Sequence, residues 1–174
     1  MKFVYDDGGR SSAGYKGNTG DCVVRAVAIA TGIPYQEVYD ALSVNSRNQR
    51  LAKQKKRMSS ARDGVNVKRK WFKDYMNSLG WKWHPTMLIG QGCKVHLKDG
   101  ELPKSRLIVS VSKHYTAVID GVIHDTYDPS ASRGVTIYPP STPTHLLPKK
   151  AYKLENGNGW GYNPNRCVYG YWIK

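Results

Sequence analysis

Cys22 stands where a glycine-rich stretch gives way to an apolar helix, in the sequence Gly20-Asp21-Cys22-Val23-Val24. The unpaired N–H groups and the dipole at a helix N-terminus stabilise an anion, so this position lowers the pKa of a thiol and favours the thiolate. A thiolate is the nucleophile of covalent hydrolysis and acyl transfer. The pattern therefore indicates a candidate nucleophile at Cys22 rather than a small core side chain.

His114 is the candidate base, because it begins an apolar strand that turns back through a short hairpin. The first strand covers 114–119, Asp120-Gly121 is typical of a two-residue hairpin turn, and the second strand covers 122–127. An imidazole beside a thiol takes its proton, and a carboxylate on the neighbouring strand fixes the tautomer and orientation of the ring.

Two aspartates on the returning strand could supply that carboxylate. A two-residue turn pairs Ile119 with Val122, and in this register Asp125 lies on the face of His114. A three-residue turn shifts the register by one residue and brings Asp128 to that face instead. The residues alone leave both registers open.

The remaining cysteines give weaker patterns. Cys93 and His96 have the C-x-x-H spacing of half a zinc site, but no second pair with this spacing follows. Cys167 lies in an apolar closing strand and is expected to be structural. We predict no metal and no cofactor, and three cysteines in the whole chain are too few for a disulfide scaffold.

The chain is strongly basic, with 27 Lys and Arg against 13 Asp and Glu and a net charge of +14. Eleven of the basic residues lie between positions 47 and 73, with one acid among them. A field of this sign attracts nucleic acid or an acidic partner. The residues predicted to bind such an anion are four cations, with three tryptophans near them for stacking on bases: Lys53, Lys55, Lys56 and Arg57, with Trp71, Trp81 and Trp83.

The elements that must position these residues are helices first and antiparallel strands second, which is typical of an α+β domain with segregated layers. We predict helices over 22–31, 34–43 and 65–79, and strands over 2–5, 81–85, 106–111, 114–119, 122–127 and 167–173. A single domain is expected over 1–174, with a flexible lead over 1–20, a basic segment over 44–63 and long loops over 129–165.

Composition also limits where the protein is expected to work. No run approaches the ~18 to 20 apolar residues of a membrane span, and the first ten residues have no apolar core of a secretory signal. With so few cysteines, we expect a protein of the reducing cytoplasm, where a nucleophilic thiol stays free.

Three of these motifs together resemble the papain-like cysteine peptidase superfamily. They are Asp21-Cys22 at a helix start, His114 at a strand start, and Asp128-Pro129 at the end of the next strand. The chain is most similar to small branches of that superfamily, the bacteriocin-leader peptidases and the type III effector cysteine peptidases, and to uncharacterised bacterial and phage proteins. The resemblance covers about residues 16–130.

The resemblance implies a papain-like fold, with the nucleophile at a helix start packed on an antiparallel sheet. It assigns Cys22 as nucleophile, His114 as general base and acid, and Asp128, through its Asp-Pro pair, as the orienting carboxylate. Papain has a glutamine shortly before the cysteine, and here Asn18 would take its oxyanion role beside the Cys22 N–H.

The function expected from the resemblance is that of a thiol hydrolase, a cysteine peptidase with a protein or peptide substrate, in the cytoplasm of a bacterium or a phage-infected cell. The same triad also serves deamidation and amide transfer. A basic nucleic-acid-binding protein on a papain-like scaffold, with catalysis lost or secondary, is the alternative from another class.

Overall fold

A six-stranded sheet forms the centre of the structure, a computed structural model that describes residues 1–48, 60–130, 136–148, 151–154, 157–162 and 166–174. Its strands, in spatial order, are β1 (Lys2–Tyr5), β5 (Val122–Asp125), β4 (His114–Ile119), β3 (Arg106–Val111), β9 (Val168–Ile173) and β2 (Lys82–Pro85). A second sheet has three short strands in the order β6 (Thr136–Tyr138), β8 (Trp160–Tyr162) and β7 (Tyr152–Lys153). In the large sheet β1 runs parallel to β5 and the other neighbours are antiparallel, so the α+β class is confirmed with a mixed sheet.

Three helices accompany the sheets in the described residues: α1 (Cys22–Thr31), α2 (Tyr35–Asn48) and α3 (Lys70–Ser78). Helix α1 is buried almost along its whole length and packs against β3, β4 and β5. Such burial explains why its sequence is apolar on every side. The helix ends at Gly32, which adopts φ 75° and donates its N–H to the Ala28 carbonyl at 2.8 Å.

Both faces of the large sheet are covered. The helices pack on one face, where Ile108 of β3 and Tyr115 and Ala117 of β4 join the helical core. Alternate residues of the same strands point to the other face, where they form a smaller core: Leu107, Val109, Val111, Val118 and Ile123, with Leu97 and Val168. Because β3 and β4 are buried on both faces, their sequences are almost continuously apolar.

Tight turns connect β4 to its two neighbours in the sheet, β3 and β5. The turn from β4 to β5 consists of Asp120 and Gly121, which have φ 49° and 82°, the left-handed pair of a two-residue hairpin. Ile119 therefore pairs with Val122. Of the two registers open to the sequence, the two-residue turn is the one that forms.

Most element boundaries agree with the sequence prediction, but the strand predicted over 122–127 ends at Asp125, and two helices differ. Helix α2 runs five residues beyond the predicted end at Ser43, because Ser46 continues its buried face. Helix α3 starts at Lys70 rather than at 65, since the residues before it form a tight turn in which the Asn66 side chain accepts the Lys68 N–H at 3.3 Å. Asn and Asp side chains that bond to the backbone nearby favour turns over helices.

The predicted flexible lead over 1–20 has a defined path. Strand β1 pairs with β5, and Asp6 and Asp7 accept the N–H groups of Gly8 and Gly9 at 2.8 and 2.9 Å. Arg10 then donates to the carbonyls of two later residues in the lead. Within the predicted long loops over 129–165, the three strands of the small sheet lie in the described parts.

Cys93 and Cys167 form a disulfide, with their Cα atoms 5.9 Å apart. The sequence did not predict this bond, which forms because an antiparallel bridge between His96 and Cys167 brings the 93–96 loop alongside β9. Disulfides persist mainly in oxidising compartments, so this bond does not fit the expected reducing cytoplasm. Among the described residues, none of the helices combines the length and apolar character needed to cross a bilayer.

Candidate active site

Cys22 is the first residue of α1, is partly buried, and is the free cysteine among the described residues. The side chain of His114 and the backbone N–H of Tyr115 lie close enough to the thiol to lower its pKa. The structure thus brings the predicted partners Cys22 and His114 together at one cleft. The fold achieves it because α1 begins beside the end of the sheet where β4 starts.

The second nitrogen of the imidazole bonds a carboxylate. His114 Nε2 lies 2.7 Å from Asp125 Oδ2, and both side chains are buried. Since Nε2 is engaged by Asp125, Nδ1 is the nitrogen that remains for the Cys22 thiol. The thiol, the imidazole and the carboxylate therefore lie in series, and such an arrangement can activate a thiol nucleophile.

Asp125, and not Asp128, bonds the imidazole. The prediction that Asp128 orients His114 is wrong in its geometry: its Oδ1 accepts the N–H and hydroxyl of Ser130 at 2.8 and 2.6 Å. The two-residue hairpin turn places Asp125 diagonally across from His114. Strand β5 ends at Asp125, whose Oδ1 also accepts the Thr126 N–H at 2.7 Å, so Asp128 lies in the turn beyond the strand.

The pKa of the Cys22 thiol is lowered and the pKa of the His114 imidazole is raised. Burial raises the pKa of Cys22, but the nearby side chain and charge of His114 outweigh burial, helped by Tyr115 and Arg25, and the net pKa is lowered. Burial lowers the pKa of His114, but the hydrogen bond to Asp125 and the proximity of Cys22 raise it to about 9. Both shifts favour a thiolate–imidazolium ion pair near neutral pH.

Tyr127 covers the imidazole from outside. The two ring centroids are 4.9 Å apart with an interplanar angle of 41°, and Tyr127 is 47% exposed. An aromatic ring in this position keeps water from the hydrogen bond between His114 and Asp125, which strengthens that bond. The hairpin explains the contact, because Tyr127 follows the end of β5 by two residues, where a continued register would lie opposite His114.

A buried ionic network supports the triad from behind. Asp21, 1% exposed, accepts hydrogen bonds from Arg10 Nε at 2.8 Å, from the Tyr35 hydroxyl at 2.6 Å and from the Arg25 guanidinium. Arg25 Nη2 in turn lies 3.9 Å from Asp125 Oδ1. Burial raises the pKa of Asp21, but the hydrogen bond from Tyr35 and the charge of Arg25 outweigh burial. The net pKa is lowered, and the carboxylate stays ionised.

Sequence reasoning missed this network. Arg25 is the one charge in an otherwise apolar helix, and a buried guanidinium requires buried carboxylates. This requirement could have identified Asp21 as the partner of Arg25, four residues earlier on the same side of the helix. It could not have identified Arg10 and Tyr35, which reach Asp21 only through the tertiary fold.

A cleft of about 500 Å³ opens at the thiol. Cys22 and His114 line it, together with residues before α3, at the β3–β4 turn and on β9. Most of the side chains near the thiol are apolar, and they include Val23, Val65 and Val67. An extended chain that enters this cleft would bring a carbonyl group to the Cys22 sulfur.

Asn18, the predicted oxyanion donor, is exposed and lines a neighbouring cleft with Thr126 and Tyr127 rather than the cleft at Cys22. The backbone at the start of α1 offers another donor. Asp21, the N-cap, makes no side-chain capping bond because its carboxylate is held by arginines. The first N–H groups of α1, including that of Cys22, therefore have no cap from this side chain.

The predicted anion-binding cluster of Lys53, Lys55, Lys56 and Arg57 lies outside the described residues. Of the tryptophans predicted to stack on bases, Trp81 is 3% exposed and belongs to the helical core. Trp83 is partly buried, with its ring 5.4 Å from that of Trp172. Trp71 is also partly buried and packs edge-on against Phe72. In this structure these rings contribute to packing.

Cys93 and His96, considered as half a zinc site, have separate partners. Cys93 is in the disulfide with Cys167, and His96 Nδ1 lies 3.0 Å from Glu101 Oε2. No cluster of three or more metal-ligating side chains occurs in the described part of the chain.

Comparison with known proteins gives no match, since no family model, no curated protein and no solved structure matches the chain. The functional argument therefore depends on the geometry of the site itself.

Proposed function

We propose that this protein is a thiol hydrolase with a papain-like arrangement, a cysteine peptidase whose triad is Cys22, His114 and Asp125. The observation that carries the proposal is the series from a thiol at a helix N-terminus, through a buried imidazole, to a buried carboxylate 2.7 Å from that ring. A structural cysteine needs no such partners. A nucleophilic one needs a base, and the base needs a group that orients it.

The reaction follows from the atoms present. The Cys22 thiolate attacks a peptide carbonyl carbon, and the N–H groups at the start of α1 stabilise the oxyanion that forms. The His114 imidazolium gives its proton to the leaving nitrogen, the C–N bond breaks, and a thioester remains on Cys22. Water then attacks the thioester and gives a proton to His114, which releases the acid and restores the thiolate.

Asp125 acts throughout as the orienting residue. Its carboxylate holds the Nε2 proton of His114, so Nδ1 faces the thiol and later the leaving group. The same thioester would form from a side-chain amide, and an amine in place of water would give amide transfer. The chemistry of the triad thus covers all three outcomes, and peptide hydrolysis is the one that fits an open cleft beside the thiol.

A mass-spectrometric assay tests the proposal. The protein, without reductant, is incubated with a complex peptide mixture and, in parallel, with iodoacetamide at pH 7. We expect selective alkylation of Cys22, and new peptide termini that are absent with the Cys22→Ala variant. Deamidation would change the mass of peptides without shortening them. Amide transfer would attach an added amine to the peptide.

Cys93 and Cys167 serve as internal controls, since their thiols are exposed to the reagent only after reduction of the disulfide. Equal alkylation rates for all three cysteines of the reduced protein, unaltered by His114→Ala, would contradict an activated thiol. Termini that also appear with Cys22→Ala would show that another enzyme produced them.

A further inference from the structure

Two lysines stand at the cleft beside Cys22. Lys68 and Lys113 line it, both are exposed, and no acidic side chain lines this cleft among the described residues. The rest of the wall near the thiol is mainly apolar. The cleft therefore combines a surface for an apolar side chain with a positive potential.

The backbone directs each lysine to the cleft from a different element. Lys68 belongs to the turn before α3, where its N–H is held by the Asn66 side chain. Lys113 is in the two-residue turn between β3 and β4, with φ 56°, directly before His114. Since both positions are fixed by turns, the two charges stay at the cleft even though the side-chain ends are mobile.

Neither lysine has a carboxylate partner in the described residues, unlike two other lysines, one in α3 and one in the 93–101 loop. Lys70 pairs with Asp74 at 2.8 Å and Lys98 with Glu101 at 2.9 Å. The carboxylate of the triad, Asp125, is buried and occupied by His114, and Asp21 behind it is buried and occupied by arginines. The charges of Lys68 and Lys113 are thus available to an incoming anion.

We propose that Lys68 and Lys113 form a carboxylate-binding subsite that selects acidic peptides, with an apolar residue in the cleft and an acidic residue beside it. The inference rests on the proposed function, because it concerns the substrate of the Cys22 thiol. It assigns the two lysines as specificity-determining residues, outside the bond-forming steps.

A pair of small electrophiles tests the subsite without a known substrate. Iodoacetate and iodoacetamide both alkylate Cys22, and they differ in that one carries a carboxylate and the other a neutral amide. The second-order rate constants are measured at pH 7 and low ionic strength. The double variant Lys68→Gln/Lys113→Gln is compared with wild type and with the charge-matched control Lys82→Gln/Lys104→Gln.

The control lysines are exposed and remote from the cleft: Lys82 is on the edge strand β2, and Lys104 precedes β3 at the end opposite the β3–β4 turn. We expect the cleft variant to lower the iodoacetate rate by about two- to fivefold per lysine, from Coulomb energies across roughly 8 Å of partly aqueous medium. The iodoacetamide rate of each protein serves as its own reference, so the ratio of the two rates should fall in the cleft variant, and added salt should shrink this fall.

An iodoacetate rate that falls equally in the control and cleft variants would overturn the subsite, because net charge would then explain it. So would an iodoacetate rate that neither variant changes. Failure of the proposed function has a separate signature, since iodoacetamide would then react with Cys22 no faster than with an ordinary thiol. The two readouts keep the two failures distinguishable.

Discussion

Two buried histidines each pair with a carboxylate, and their surroundings give them different roles. His114 Nε2 lies 2.7 Å from Asp125, with side-chain exposures of 6% and 3%, and its other nitrogen faces the Cys22 thiol. His96 Nδ1 lies 3.0 Å from Glu101, whose side chain is 25% exposed. The first pair belongs to strands of the central sheet, and the second lies in a surface loop next to the disulfide.

Glu101 stabilises the loop in which it lies through bonds to His96 and Lys98. Burial opposes its ionisation, but Lys98 and the backbone and ring of His96 outweigh burial and lower the pKa of Glu101 to about 2. Its Oε2 also accepts the His96 N–H at 2.6 Å. The carboxylate thus fixes the backbone of a loop, whereas Asp125 fixes a ring that has a nucleophile on its far side.

The difference teaches that an imidazole–carboxylate pair is insufficient evidence of catalysis. What separates the two pairs is the third group, and here that group is a thiol at a helix N-terminus. The variants below compare the two pairs directly, with reactivity of Cys22 toward iodoacetamide as the common measure.

The largest effect is expected from His114→Ala. Without the imidazolium, the pKa of Cys22 returns toward the range of a buried thiol, so the thiolate fraction at pH 7 falls. Alkylation should slow by about 10- to 100-fold, because the higher nucleophilicity of a more basic thiolate offsets part of the loss. His96→Ala is the matched variant and should leave the rate unchanged, as measured by intact-protein mass spectrometry over time.

A comparable slowing in both histidine variants would remove the distinction between the pairs. Thermal unfolding curves of the two proteins show whether a general loss of structure is responsible, since each histidine is buried.

The next largest effect is expected from Asp125→Asn. Burial lowers the pKa of His114 and the hydrogen bond to Asp125 opposes it, so loss of the carboxylate should bring the imidazole pKa below about 9. Alkylation at pH 7 should fall by roughly tenfold, and peptide turnover by more, since the ring also loses its orientation. Glu101→Gln should not change either quantity.

Asp128→Asn adds a second control on the same hairpin. It alters a turn that bonds Ser130 and should have little effect on the rate. A stronger effect from Asp128→Asn than from Asp125→Asn would mean that the active conformation differs from the one described.

The pH dependence of turnover gives the third comparison. The pKa of Cys22 is lowered, so the thiolate persists below the usual range of a thiol, and it is lost as the pH falls through that lowered value. His114 has a raised pKa of about 9 and can protonate the leaving group until the pH rises through that value. Turnover should therefore form a bell whose alkaline limb lies near pH 9.

Arg25 lowers the pKa of Cys22 through its charge. Arg25→Met should move the acid limb to higher pH, by less than His114→Ala does. Arg106→Met is the control, because Arg106 also bonds α1 but at the carbonyls of Ile29 and Ala30, at its opposite end. Equal displacement of the acid limb by both variants would show that helix stability, rather than charge, is responsible.

The smallest effect on Cys22 is expected from removal of the disulfide. The double variant Cys93→Ser/Cys167→Ser opens a loop with a sequence separation of 74 residues, and chain entropy predicts a loss of about 4 kcal/mol in the free energy of unfolding. Alkylation of Cys22 should stay within about twofold of wild type. Urea denaturation measures the first quantity, and a large change in the second would tie the disulfide region to the site.

The sequence predicted well those features that local patterns encode. The helix at 22–31, the strands of the β3–β4–β5 unit and the candidate pair Cys22 and His114 all follow from apolar runs bounded by turn residues. The starts and ends of α2 and α3 were less accurate, because side-chain bonds such as that of Asn66 decide them.

The carboxylate that bonds His114 shows how far the sequence could be read. The residues left Asp125 and Asp128 open, and the resemblance to papain-like peptidases decided for Asp128. The two-residue turn that forms selects Asp125, since the φ values of two residues determine the register of the whole hairpin. A motif that names a residue type carries no such constraint on geometry.

By itself, the sequence determined the α+β class, the thiol at a helix start and the histidine at a strand start, because helix and strand periodicity are properties of neighbouring residues. Only the tertiary structure decided that Arg10 and Tyr35 reach Asp21, that Arg25 approaches Asp125, and that Cys93 bonds Cys167 rather than a metal. These contacts join segments far apart in the chain. Their formation depends on how α1 packs across the sheet and how loops return to it, which no local pattern specifies.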